Sequence, residues 1–400
     1  MKKKIIFVQS FKFLDFHYNL YEINELKKNF DVECFDLTSI KNNKIDLHYR
    51  YLKNKSKIST FKEISFFKKK ILELHDKYKG NLVICFLHFP TTFSELFIYF
   101  LLIRKKVNLC IFHFNNFMPL HLSKKFKFMD RLIYALKRLF TRPRQIINQR
   151  KILMIHFIIK ILFSKIYPKY IFVNSNEYFL EYKKKFKNIK IYRLHDWDGS
   201  NFIRSEKKFN SKKKNLATYL SAFSLNSASD SAHFNVGRRE NSKIVLQSVD
   251  KFFSKLEKKF RLKVQIAKHP REEENFMSPI YKGKKRYASK FHTRELVQSS
   301  RLVITTMSSA VSYAALLKKP LLFIITNEHF KNVSLINSTK AISKFFDSDL
   351  INIDLNKDYK INFKLKNLTK KRYKHFAKNY LISEKYRKMP NCEILTKIFK

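Results

Sequence analysis

Short apolar runs rich in β-branched and aromatic residues alternate with longer stretches of helical periodicity along this chain, and that alternation constrains the fold more than any other feature. Lys4 to Val8 reads as a buried strand, Tyr18 to Lys28 as a helix and Val32 to Leu37 as a second strand. Strands joined through helices run parallel, because the crossover returns the chain to the edge it left. The rhythm recurs with strands at Asn81 to Leu87 and Val107 to Phe112 around a helix from Thr92 to Lys105, whose first turn holds Ser94 and Glu95. Asp130 to Tyr167 reads as helical with a break near Pro143, and Tyr170 to Val173 and Ile189 to Leu194 return as strands.

At 400 residues the chain exceeds what one core usually organises, so two domains are expected. The segment RSEKKFNSKKK, Arg204 to Lys214, is polar and charged apart from Phe209 and reads as the linker. Beyond it a second α/β unit starts with a strand at Leu216 to Leu220, the Ser-rich stretch Ser221 to Ser231, a helix from Ser242 to Lys259 and a strand from Lys263 to Ala267. Strands at Leu302 to Thr306 and Leu321 to Ile325 flank a helix from Ser309 to Leu317, and Phe363 to Lys388 reads as basic helix. The expected organisation is a Rossmann-like domain over 1–203, a linker over 204–214, a second Rossmann-like domain over 215–335 and a basic helical tail over 336–400.

Composition removes several function classes. With only four glycines (Gly80, Gly199, Gly237 and Gly283), neither a GxGxxG nor a GxxxxGK[ST] phosphate loop exists. Lys and Arg number 83 against 32 Asp and Glu, a formal charge of +51 that favours anionic partners. A/T-rich coding accounts for part of this through Lys, Asn, Ile, Phe and Tyr, but not for the scarcity of acids. Nucleic acid, anionic lipid and anionic substrate all remain open on charge alone, although no RRM, zinc-finger or other nucleic-acid motif accompanies it. Cys34, Cys85, Cys110 and Cys392 have neither CxxC nor finger spacing, so a reducing compartment is expected. No signal peptide follows Met1-Lys2-Lys3-Lys4, and no apolar run reaches the length of a spanning helix. A cytoplasmic protein is expected. Arg131 to Ile166 mixes Leu, Ile and Phe with many cations, which suits either long helices packed on their own domain or peripheral attachment to an anionic bilayer.

Ligands of open parallel sheets bind beyond the carboxyl ends of the strands, and two loops of the second half stand out there. Lys268-His269-Pro270-Arg271 follows the strand KVQIA directly, so two fixed cations and an imidazole on a Pro-stiffened turn meet at a strand end, an arrangement suited to phosphate. Thr305-Thr306-Met307-Ser308-Ser309 lies between a strand and a helix, with Ser308 as the expected N-cap; hydroxyls and unpaired N–H groups there also suit an anion. The two loops converge on one crevice if their strands are neighbours.

IAKHPR and FHTRELVQSSRLVITTMSSAVSYAALLKKPLLFI, within Val264 to Ile325, resemble the carboxyl-terminal half of bacterial surface-polysaccharide glycosyltransferases of the two-domain GT-B architecture, especially those with the His-Pro and Ser-Ser motifs of sialyltransferases and polysialyltransferases. The resemblance implies two Rossmann-like domains facing a cleft, a nucleotide-activated and cytidine-linked sugar donor, and a glycan or glycolipid acceptor. It also implies that His269, Ser308 and Ser309 hold the donor phosphate while Pro270 shapes the turn. Lys268, Arg271 and Thr306 join them as expected substrate-binding residues. CDP-glycerol glycerophosphotransferases share a similar arrangement, but their Asp-Tyr-Ser-Ser run is replaced here by Thr306-Met307-Ser308-Ser309.

Members of the sialyltransferase group also carry an acidic pair before a Gly in the amino-terminal domain, one carboxylate serving as general base. The nearest counterpart is His195-Asp196-Trp197-Asp198-Gly199, where Trp197 interrupts the pair, so Asp198 and Asp196 are the candidate bases. A polar interdomain turn with Trp197 packed into the hinge is the competing reading of this segment. His88 and His113 follow strands of the first half and read as partly buried structural histidines. No resident cofactor and no divalent metal is expected, because protein cations can neutralise the leaving phosphate.

Overall fold

A computed structural model describes residues 2–10, 13–41, 58–90, 92–114, 154, 158, 167–205, 215–221, 242–269, 286–331, 333–355, 357–359, 361 and 370–400. The chain divides into two compact units, exchanging one for the other at Trp197–Asp198 and again at Arg387–Lys388.

Seven strands form the sheet of the first unit: β1 (Lys4–Gln9), β2 (Asp31–Asp36), β3 (Ser59–Thr60), β4 (Leu82–Phe86), β5 (Asn108–His113), β6 (Tyr170–Val173) and β7 (Lys190–Arg193). Their spatial order is β3-β2-β1-β4-β5-β6-β7 and every pairing is parallel. Every residue of β1, β4 and β6 is buried, as befits strands covered on both faces. Helices α1 (Asp15–Leu20), α2 (Ile64–Tyr78), α3 (Phe93–Arg104) and α4 (Asn176–Lys185) connect them. The last three pack into one core with Ile6, Val8, Ile84 and Ile111. Thr92 and Glu95 cap α3 reciprocally, the Thr92 Oγ1 accepting from the Glu95 N–H (3.2 Å) and the Glu95 Oε2 from the Thr92 N–H (3.0 Å).

The helix expected over Tyr18 to Lys28 is broken. It forms as α1 and a single turn at Ile23–Leu26, parted at Glu22, whose backbone is left-handed (φ 55°). The strain serves a contact, since the buried Glu22 carboxylate accepts the Cys392 N–H at 2.7 Å, at the start of the helix Asn391–Phe399. That helix is part of the first unit. Asn391 pairs with the His195 backbone through both amide atoms, each bond 3.0 Å, and Phe399 packs on Phe30, Tyr170 and Phe172.

The second unit starts in α5 (Trp197–Ser205) at Asp198 and builds its own sheet from β8 (Leu216–Leu220), β9 (Lys263–Ala267), β10 (Ala288–Ser289), β11 (Leu302–Thr305), β12 (Leu321–Ile325) and β13 (Leu350–Asn352). The order is β10-β9-β8-β11-β12-β13, again all parallel. Each unit therefore carries the 3-2-1-4-5-6 order of a Rossmann-like sheet, the first with one extra strand, and the fold class is the expected α/β with two such units. Helices α6 (Ser242–Phe260), α7 (Thr293–Ser299), α8 (Val311–Leu316), α9 (Val333–Phe346), α10 (Lys370–Phe376) and α11 (Asn391–Phe399) join those named, with short helical segments at Thr38–Lys41, Asn327–Lys331 and Ala377–Leu381. The basic tail does not stand apart: Tyr373, Phe376 and Tyr380 are buried in the second unit with Val311, Phe323 and Phe346. Of the linker expected over 204–214, Arg204 and Ser205 instead end α5, and 206–214 lies outside the described residues, as do most of Asp130 to Tyr167 and residues 362–369.

Two buried polar clusters set the spacing of the second sheet. Gln265 Nε2 lies within bonding distance of Thr218 Oγ1 and the Leu296 carbonyl, both 2.8 Å, while Lys319 Nζ donates to the Gln298 and Ser300 carbonyls at 2.5 and 2.7 Å. Together they bond carbonyls at the end of α7, where the Leu296 carbonyl also accepts from the Thr218, Ser299 and Ser300 hydroxyls. Arg286 donates to Asp250 (2.5 Å) and Glu257 (2.9 Å) of α6, joining the entry to β10 to that helix.

Gly199 is required by its neighbours, since a Cβ there would strike the Leu381 carbonyl oxygen, whereas nothing lies within 4 Å of a Cβ at Gly80. Gly199→Ala should cost about 1–3 kcal/mol of stability in urea melts. Gly80→Ala should cost nothing or add up to about 1 kcal/mol.

Candidate functional site

Because all six strands of the second sheet are parallel, their carboxyl ends share one edge, and the order reverses between β8 and β11. Lys268 and His269 continue β9 at this edge, Thr306 to Ala310 continue β11, and Ser221 follows β8 between them. The strands β9 and β11 are not neighbours. β8 lies between them and pairs with both, so the two loops stand about two strand spacings apart, roughly 10 Å. The reason is topological: β8 opens the unit, β9 returns on one side of it and β11 on the other.

Lys268 and His269 are half-buried, and the Lys268 N–H donates to the Ser289 carbonyl (2.9 Å), anchoring the turn to β10. Pro270 and Arg271 lie outside the described residues. On the other side Thr306 is buried, Ser308 half-buried and Ser309 exposed. The helix expected from Ser309 starts later, at Val311, and has only six residues, with Ala310 as its N-cap. Bonds from Val311 to Ser308, Ser312 to Ser309 and Tyr313 to Ala310 wind the preceding residues into a tighter three-residue turn. Ser308 still caps locally, its Oγ accepting the Ala310 N–H at 3.3 Å. A helix this short contributes little dipole. Thr305 adds a buried hydroxyl that has no hydrogen-bond partner among the described residues.

The two candidate carboxylates separate. Asp196 belongs to the first unit, is buried and accepts from Asn174 Nδ2 at 2.9 Å. Asp198 belongs to the second, where Ser312 Oγ of α8 donates to its Oδ2 at 2.5 Å, one turn from Ser308 and Ser309. Burial raises the Asp198 carboxyl above the ordinary aspartate range, against the opposing bonds from Ser312 and Tyr313. Trp197 is buried in the first unit against Tyr21, Phe112 and Phe114. In the first unit, His88 Nε2 accepts the Ser10 N–H (3.3 Å), which leaves its Nδ1–H to donate to the Phe89 carbonyl (2.8 Å). His113 Nδ1 meets the Tyr182 hydroxyl at 2.5 Å.

Ser312 and His329 were missed in the sequence. Ser312 sits inside what reads as an ordinary helix, and only its pairing with a residue 114 positions away gives it a role. His329 follows β12 on the same carboxyl edge; its Nδ1 accepts the Thr326 N–H (2.8 Å), so the neutral ring carries its proton on Nε2, a buried atom with no partner among the described residues. Burial pulls this imidazole down to about 4. The signal available was its position just after an apolar strand. Among the described residues no group of three or more His, Cys, Asp or Glu is placed to hold a metal ion.

No protein-family model and no curated protein matches the chain. Solved structures align with it over most of its length at low identity. UDP-GlcNAc 2-epimerase from Methanocaldococcus jannaschii is 12% identical with a TM-score of 0.47, over 99% of this chain and 100% of that one. UDP-GlcNAc 2-epimerase from Neisseria meningitidis, bound to UDP-GlcNAc, is 11% identical with a TM-score of 0.44, over 100% and 99%. MurG from Acinetobacter baumannii is 7% identical with a TM-score of 0.42, over 99% of each chain. At this level of likeness they bear on neither site nor chemistry.

Two titrations follow. His329 has a lowered folded value, so its neutral burial is without cost above about 6.5 and destabilises as pH falls toward 4; relative to His329→Gln, the native chain should lose up to about 3 kcal/mol across that window in urea melts. Asp198 has a raised folded value, so its contribution has the opposite slope. Between the ordinary aspartate range and that raised value, stability falls as pH rises, and Asp198→Asn should remove this decline.

Proposed function

We propose that this protein is a glycosyltransferase of GT-B architecture, moving a sialic-acid-like or Kdo-like sugar from a cytidine-linked donor to a surface glycan or glycolipid. The observation that carries the reading is the shared sheet edge, with Lys268 and His269 on one side of β8 and Thr306, Ser308 and Ser309 on the other. A donor phosphate there would be neutralised by the Lys268 ammonium, bonded by His269 and held by the serine hydroxyls, with Arg271 and the Pro270 turn assigned on sequence alone. No resident metal is called for in this scheme. As the anomeric bond breaks, the leaving phosphate gains charge that these groups offset, and a carboxylate takes the proton of the acceptor hydroxyl.

Asp198 suits the base better than Asp196. It lies in the unit that carries the phosphate loops, and burial raises its proton affinity, which favours its taking a proton. Ser312 then acts as a positioning residue, orienting the carboxylate. The acceptor side is proposed to work in the cytoplasm at an anionic membrane surface, where lipid-linked glycans are anchored.

Thermal shift with CMP, CDP and UDP tests the donor. Saturating CMP should raise Tm by about 2 °C or more over the value in buffer alone, and His269→Ala should abolish most of that rise, each chain being compared with its own Tm in buffer. Transfer from CDP-glycerol but not from a CMP-sugar would replace the reading with glycerophosphate transfer. Oligonucleotide binding that is tight, salt-dependent and indifferent to His269→Ala, with no nucleotide shift, would replace it with nucleic-acid binding.

A further inference from the structure

Helix α3 is apolar nearly all round its circumference, yet only part of it is covered. Leu96, Ile98, Tyr99 and Leu102 enter the core of the first unit, whereas Phe93 and Phe97 remain 45% and 54% exposed. Leu101 continues that outer side half-buried and Arg104 ends it, while Phe100 beside them packs partly on the core. Such spacing, i, i+4, i+8 and i+11 from Phe93, makes a stripe rather than scattered residues. Helix α2 packs beside α3 and adds Phe66, 60% exposed. Both helices run away from the carboxyl edge of the sheet, so Phe66 and Phe93 fall in their first turns and Phe97 early in the second, toward the same end of the layer.

The charges around this patch choose its partner. Lys69 and Lys70 lie on the same side of α2 as Phe66, and Arg104, Lys105 and Lys106 close α3. Of the acids on that side of α2, Glu73 is 3.8 Å from Lys70 and Glu63, the N-cap, accepts from Ser65 Oγ (3.0 Å) next to Lys62, while the only acid of α3, Glu95, is buried in the cap. Aromatic rings flanked by cations match the boundary between anionic headgroups and acyl chains, where the rings leave water and the ammonium groups meet phosphate. Among the described residues no helix is long and apolar enough to cross a membrane, so the contact would be made from one side.

We propose that the outer side of α2 and α3 is a membrane-docking surface that inserts Phe66, Phe93 and Phe97 into an anionic bilayer. The assignment concerns binding and does not depend on the sugar-transfer reading. It rests on α2 and α3 and not on the basic stretch Arg131 to Ile166, most of which lies outside the described residues.

Phe97→Trp gives the direct test, because the one native tryptophan, Trp197, is buried in the first unit. With vesicles of phosphatidylcholine containing phosphatidylglycerol, the new emission should shift to the blue and be quenched by brominated acyl chains. Vesicles of phosphatidylcholine alone, or high salt, should reduce both effects. In flotation, Phe93→Ser combined with Phe97→Ser should lower partitioning about tenfold or more. Native binding with no response from Phe97→Trp would overturn the proposal, as would no binding to anionic vesicles at all. An emission already blue-shifted and shielded from iodide without vesicles would show the stripe covered by protein and overturn it equally. Circular dichroism checks the folding of the double variant, and the single tryptophan variant keeps the test decisive should that variant unfold.

Discussion

Burial on both faces of a parallel sheet governs everything else in this protein. Strands such as β1, β4, β6 and β12 leave no residue exposed, so they have no room for chemistry along their length. Polar function is confined to the ends, and the crossovers bring all the carboxyl ends to one edge. In the second unit that edge collects Lys268, His269, Thr306, Ser308, Ser309 and His329 from loops widely separated in sequence. The buried bonds of Gln265 and Lys319 hold the helix and strands behind that edge at fixed spacing.

The elements legible in the sequence were those with strong apolar periodicity. β1, β2, β4, β5, β8, β9, β11 and β12 all fall within a residue or two of the positions read from their runs. Edge strands β3, β10 and β13 did not announce themselves, being two or three residues long and only partly buried. The break at Glu22 was equally invisible, because the contact its carboxylate makes there is with a backbone amide 370 residues away. Local preference favoured one helix, and no local residue signals that long-range hydrogen bond.

At the candidate site the residue types were readable but their spatial relations were not. The loops at His269 and Ser308 share an edge as the motifs suggested, yet with β8 between them, since strand order is a matter of topology and not of spacing. Asp196 and Asp198 look like a pair on paper, two positions apart, but the division of the chain passes between them. Asp198 gains a partner in Ser312, and Asp196 in Asn174. A Ser at the second position of a short helix gives no local hint of that role.

The return of the last helix to the first unit has a consequence during synthesis. Trp197 leaves the ribosome roughly 190 residues before Lys388 follows, a delay on the order of 10–40 s at ordinary translation rates. Throughout that interval the nascent amino-terminal unit lacks Phe399 against Phe30, Tyr170 and Phe172, and Glu22 lacks the amide for which it adopts its left-handed backbone. Vectorial folding thus ends where it began: the unit made first is the one finished last, with an aromatic seam open to chaperones until the carboxyl-terminal helix arrives.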